Sequence, residues 1–172
     1  MFRTPYSTWD PKWSETEHEV LRDFGYAAFT AQMLEEALIH VLLAAENAGR
    51  ITFNKKADIE SELFLSKKTL GQLMGELKRG GMDDQLEELL RDALNARNFL
   101  MHHFFSSHCQ DFVTEQGRGK MLKELQSLRF RIGRVQQAFT QIREQVYEQL
   151  FGITKADAHR LYEKYIKAQS SE

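Results

Sequence analysis

The chain has little proline and almost no cysteine. Its two prolines, Pro5 and Pro11, precede the first expected helix, so nothing from Lys12 to Glu172 forbids helix. One cysteine, Cys109, excludes an internal disulfide framework and suits a reducing cytoplasm, the expected location. No uninterrupted run of about 18 apolar residues occurs, so no membrane-spanning helix is expected. The opening Met-Phe-Arg-Thr-Pro-Tyr lacks the apolar core of a signal sequence. Neither sign of charge dominates. A net charge of −2 gives no general affinity for nucleic acid or anionic membranes, so any RNA site must be local. There is no second Cys, no Cys-x-x-Cys, no His-Glu-x-x-His, no Walker loop and no Gly-x-Ser-x-Gly. No metal and no cofactor are therefore expected.

What is present is helical patterning. At 172 residues the chain reads as one domain, 1–172, with an aromatic arm over 1–13 carrying Phe2, Tyr6, Trp9 and Trp13. Ser14, with Glu17 three residues on, is a capping-box pattern that opens a long helix to about Asn47. Val20, Phe24, Ala27, Ala31, Leu34, Leu38, Val41 and Ala45 form its seam, and Gln32, Glu35, Glu36 and His40 are its central polar residues. A shorter helix is expected over about Ala57–Leu65, then a second short piece, Leu70–Lys78, capped by Thr69. Met82-Asp83-Asp84 opens a fourth helix running to about Ser106. A connection over Ser106–Gly119 follows. A last long helix, about Lys120–Leu150, carries Met121, Leu125, Leu128, Ile132, Val135, Phe139, Ile142 and Val146 at the same spacing. The matching seams predict that it lies antiparallel to the first helix. A final short helix, from Thr154 to about Ala168, turns Leu161, Tyr165 and Ile166 inward. The expected fold is an all-α, up-and-down bundle of about five helices.

One stretch departs from an ordinary core helix. Arg97, Asn98, His102 and His103 stand among large apolar residues, and burying charge without a partner is costly. Asn98 and His102 are i,i+4 neighbours; with Arg97 and Met101 they form one broad sector. Chance supplies an Arg-x4-His pair about 0.4 times in a chain of this composition, and about 0.01 times once Asn must follow the Arg. The residue types fit RNA cleavage. Histidine titrates near neutral pH and serves as base or acid. Arginine stays charged and grips phosphate oxygens bidentately. Asparagine orients the His or donates to the phosphate.

Arg97-Asn98-x-x-x-His102 resembles the Arg-x(4–6)-His motif of HEPN domains. That resemblance covers six residues. It implies a small all-α bundle and a metal-independent endoribonuclease of the kind found in toxin–antitoxin and other defence systems. It further implies a homodimer whose Arg and His face a cleft between protomers, and an antitoxin protein as a possible partner. Arg97, Asn98 and His102 would be the catalytic residues. A subfamily has a modified Tyr two positions after the His, where this chain has Phe104.

The last long helix opens with the one strongly basic stretch, including Arg118, Lys120, Lys123, Arg129, Arg131 and Arg134. Arg131 and Arg134 share a face, as do Lys120 and Lys123. Both a solvated face and an RNA backbone track fit this pattern. A non-catalytic HEPN-like module that scaffolds a protein or nucleotide is the alternative from another class. A helical regulator whose seams serve assembly is a third.

Overall fold

A computed structural model describes residues 13–54 and 60–152, and beyond them 154, 156, 157, 159, 160 and 163. Among the described residues all regular structure is helical. The order is α1 (Glu15–Asn47), α2 (Ser61–Ser66), α3 (Leu70–Arg79), α4 (Asp84–His102), α5 (Phe104–Ser107), a 3₁₀ turn (Asp111–Val113) and α6 (Glu115–Phe151). The all-α bundle expected from the sequence is present.

Helix starts follow local chemistry. The Ser14 backbone N–H donates to Glu17 Oε2 at 2.6 Å, and the Glu17 N–H donates back to Ser14 Oγ at 3.4 Å, closing the expected box. Thr69 and Gln72 build the same box at α3. Asp83 accepts from the Leu86 N–H at 2.8 Å and caps α4. At the far end Thr154 Oγ1 donates to Asp157 Oδ2 at 2.6 Å, a helix-start bond. The remainder of the expected terminal helix, with Leu161, Tyr165 and Ile166, lies outside the described residues, as do the arm before Trp13 and the side chain of Val146.

α1 and α6 share the largest interface, and they run parallel, not antiparallel as their seams predicted. Near the start of both, Arg118 Nε donates to Thr16 Oγ1 at 2.7 Å. Further along both, a Cβ on Gly133 would lie 3.7 Å from Thr30 Cγ2. Position thus advances in the same sense on the two helices. α4 runs the other way, since Arg97 meets Glu35 while Phe104, after its end, meets Phe24. The long helices go up, down and up, with α2 and α3 completing the connection from α1 to α4. Seam spacing carries no direction, so it cannot separate the two pairings.

Two boundaries also move. α6 starts at Glu115, not Lys120. Thr114 caps it, accepting from the Gly117 N–H at 3.0 Å, and Gly117 lies against the Asp111 backbone where a Cβ has no room. Gly117 therefore marks a close approach within a helix instead of a loop. α4 ends at His102, short of Ser106, and restarts as α5 after His103.

The core joins Val20, Leu34, Leu38 and Leu42 of α1 to Leu90, Ala93, Ala96 and Leu100 of α4. Met121, Leu125, Ile132 and Phe139 of α6 complete it. Each such Leu or Phe contributes about 1.5–3 kcal/mol by leaving water. By length and composition α1 is apolar enough to cross a membrane, with a stretch of mean hydropathy 1.3. Much of that apolarity is the α1 side of this core.

Candidate functional site

α4 places the motif. Its buried stripe, Leu90, Ala93, Ala96 and Leu100, fixes its rotation. That leaves Arg97 and Asn98 half-buried, and Met101 and His102 exposed. The expected sector therefore faces outward as one surface.

Arg97 is held from two sides. Its Nε donates to Glu35 Oε1 at 3.1 Å, and Nη2 lies 3.0 Å from the same oxygen. Its Nη1 donates to Asn98 Oδ1 at 3.2 Å. A guanidinium has five N–H groups, so one remains on each terminal nitrogen. These two are left for a phosphate, while Glu35 occupies the Nε side. Glu35, one of the polar residues in the middle of α1, is thus the carboxylate that meets Arg97. It also borders a groove of about 360 Å³ between α1 and the α2–α3 segment, whose lining mixes apolar residues such as Phe29 and Leu73 with Gln32, Glu36 and Lys68. The ion pair fixes the guanidinium and offsets its charge.

His102 carries its imidazole at the end of α4. Among the described residues it makes no hydrogen bond or ion pair, and its ring lies 6.3 Å from that of His103. Asn98 orients Arg97 in this arrangement; no bond joins it to His102.

The basic stretch of α6 is largely engaged by the protein itself. Arg118 is nearly buried, donating from Nη1 to the Phe112 carbonyl at 2.9 Å and lying 3.8 Å from Glu17. Lys120 lies 3.6 Å from Asp111. Arg131 Nε donates to Asp92 at 3.0 Å, and Arg134 Nη2 donates to the same carboxylate at 3.1 Å. The Arg131 hydrogen bonds, helped by Arg134 and opposed by partial burial, hold the Asp92 carboxyl below its usual range. Lys123 is exposed without an ion-pair partner among the described residues. Arg118 and Lys120 meet one group of carboxylates, and Arg131 and Arg134 meet another, so the five cations are not gathered on one free track.

One cluster joins a short-range pair to a residue distant in sequence. His108 Nδ1 lies 2.9 Å from Asp111 Oδ2, and its Nε2 lies 2.6 Å from Glu124 Oε2. Both ring nitrogens face carboxylate oxygens, an arrangement that requires both to carry protons. Burial pushes the imidazole pKa down, but the Asp111 and Glu124 hydrogen bonds outweigh it, and the net shift is upward. His108-x-x-Asp111 was readable as a short-range pair; Glu124, a helix away, was not. Among the described residues no group of three or more His, Cys, Asp or Glu side chains could hold a metal ion.

No family model matches this chain, and neither a curated protein nor a solved structure matches it.

Proposed function

We propose that the chain is a metal-independent endoribonuclease of HEPN type, acting on RNA in a toxin–antitoxin or related defence setting. Arg97 binds and neutralises the scissile phosphate. His102 moves a proton, and Asn98 orients Arg97. A homodimer gathers two copies of this sector at one cleft.

The observation that carries the reading is the state of Arg97 and His102. Arg97 is aligned by Glu35 and Asn98 with one donor left on each terminal nitrogen. His102 is exposed one turn further along the same helix. An aligned cation beside an unengaged imidazole suits a phosphate whose 2′-OH neighbour must lose a proton.

The test is purified protein on a mixed RNA pool with excess EDTA. Wild type cuts RNA and leaves DNA of the same sequence intact, because DNA lacks the 2′-OH. His102→Ala loses about 10²-fold or more, the scale of acid–base catalysis, while circular dichroism and light scattering stay as in wild type. Arg97→Lys is also poor, since lysine lacks the planar fork. An inert wild type, or a His102→Ala variant that cuts equally well, sinks the proposal.

The second reading, a non-catalytic HEPN-like module that scaffolds a protein or nucleotide, has one supporting observation. Glu35 already offsets the Arg97 charge, as an arginine with a structural role requires. RNA binding without cleavage, or neither, would favour it.

A further inference from the structure

We propose that His103 is a second proton carrier in this reaction, so that His102 and His103 form an acid–base pair within one chain. This rests on the ribonuclease reading and adds a residue outside the Arg-x4-His motif.

In a continuous helix, adjacent side chains diverge by about 100°. Here the helix does not continue. His102 is the last residue of α4, and His103 is its C-cap with φ −127° and ψ −21°; α5 begins at Phe104. The break is anchored on both sides. The His103 N–H donates to the Phe99 carbonyl at 2.9 Å, and the His103 carbonyl accepts from the Ser107 N–H at 2.9 Å and from Ser106 Oγ at 2.9 Å. Phe104, buried behind the break, packs its ring 5.9 Å from Phe24 and 4.9 Å from His108. The two imidazoles thus project from a fixed corner, with centroids 6.3 Å apart and planes inclined at 70°. Both residues are exposed, and neither ring has a hydrogen-bond or ion-pair partner among the described residues. The charged groups on the flanking segments are engaged elsewhere: Arg97 with Glu35, and His108 with Asp111 and Glu124.

Such a pair can serve one phosphodiester. An in-line displacement needs a base at the attacking oxygen and an acid at the leaving oxygen. Each imidazole nitrogen must come within about 2.6–3.2 Å of its own oxygen, so both rings must stand beside the same phosphate, a placement open to two exposed imidazoles 6.3 Å apart on one corner. The neutral ring takes the 2′-OH proton as the 2′-oxygen bonds to phosphorus. The protonated ring gives its proton to the 5′-oxygen as the P–O5′ bond breaks. One proton enters the pair and one leaves it. The products are a 2′,3′-cyclic phosphate and a 5′-hydroxyl, with the protonation states of the rings exchanged.

The experiment is the pH profile of kcat/KM for the full chain on a short oligoribonucleotide. Wild type is expected to be bell-shaped, with one limb from the base and one from the acid. His103→Gln loses about 10²-fold or more at the optimum and flattens one limb; His102→Gln flattens the other. His103→Asn, with a shorter amide, behaves like His103→Gln, and circular dichroism of both variants matches wild type. If His103→Gln keeps both limbs and a rate within about threefold of wild type, the pair is overturned while the ribonuclease reading stands. An inert wild type overturns both.

Discussion

The middle and the end of α4 carry polar groups to opposite effect. Near its middle, Asp92 is gripped by Arg131 and Arg134, and its hydrogen-bonding capacity is used inside the protein. Ten residues on, His102 and His103 stand exposed with no polar partner among the described residues, one turn past an arginine with donors left. The first arrangement braces α4 against α6. The second has hydrogen-bonding capacity unspent by the fold. A basic residue in a basic stretch is therefore a weak guide to a nucleic-acid site; whether the fold already engages it is the better one.

Removing what supports the open end should cost most. Phe104 is 1% exposed, and Phe104→Ala is expected to lower stability by about 3–5 kcal/mol through lost burial and a cavity under the corner. Denaturant unfolding measures this. A loss below about 1 kcal/mol would mean that the corner does not rest on Phe104. At the braced middle the effect is smaller. Asp92→Ala should lower stability by about 1 kcal/mol, because the carboxylate is about one-third exposed and solvent screens the pair. RNA cleavage should stay within about twofold of wild type. A larger loss of cleavage than of stability would place Asp92 in the site and erase the contrast between the two stretches.

The smallest effect concerns pH. The folded imidazole of His108 has a raised pKa, so the stability it adds is fully present below its unfolded value. That stability is lost as pH rises through the folded value. Asp111 is shifted the other way, chiefly by its hydrogen bond from His108. Its contribution is present above its unfolded value and lost as pH falls through the folded one. The corner is thus most stable between these limits. Thermal melts from about pH 6 to about pH 9 should show wild type losing Tm on the alkaline side, and His108→Gln lacking that decline. Parallel curves for the two proteins would contradict a stabilising role for the His108 contacts to Asp111 and Glu124.

Local signals were legible in the sequence and long-range ones were not. Ser14, Thr69 and Asp83 mark helix starts because a cap acts within three residues. The α1 and α6 seams were readable because burial repeats with the helical turn. Their parallel direction was not, because the same spacing serves either pairing. Gly117 and Gly119 resemble a loop in sequence, yet Gly117 is where α6 passes the Asp111 backbone. The α4 break escaped notice because no Gly or Pro marks it; Phe104 turns into the core there instead. In the candidate site the shared sector of Arg97, Asn98 and His102 followed from spacing; its outward direction is set by the buried stripe of α4. The Glu35 partner and the engagement of Arg131 and Arg134 by Asp92 depend on tertiary contacts between distant helices.

The central claim is that this corner cuts RNA with the RNA's own 2′-OH. Mass spectrometry of the 3′ ends produced by wild-type protein in excess EDTA tests it most directly. The account predicts 2′,3′-cyclic phosphates paired with 5′-hydroxyls, and their loss in His102→Ala. Fragments ending in a 3′-hydroxyl with a 5′-phosphate, or no fragments at all, would contradict it.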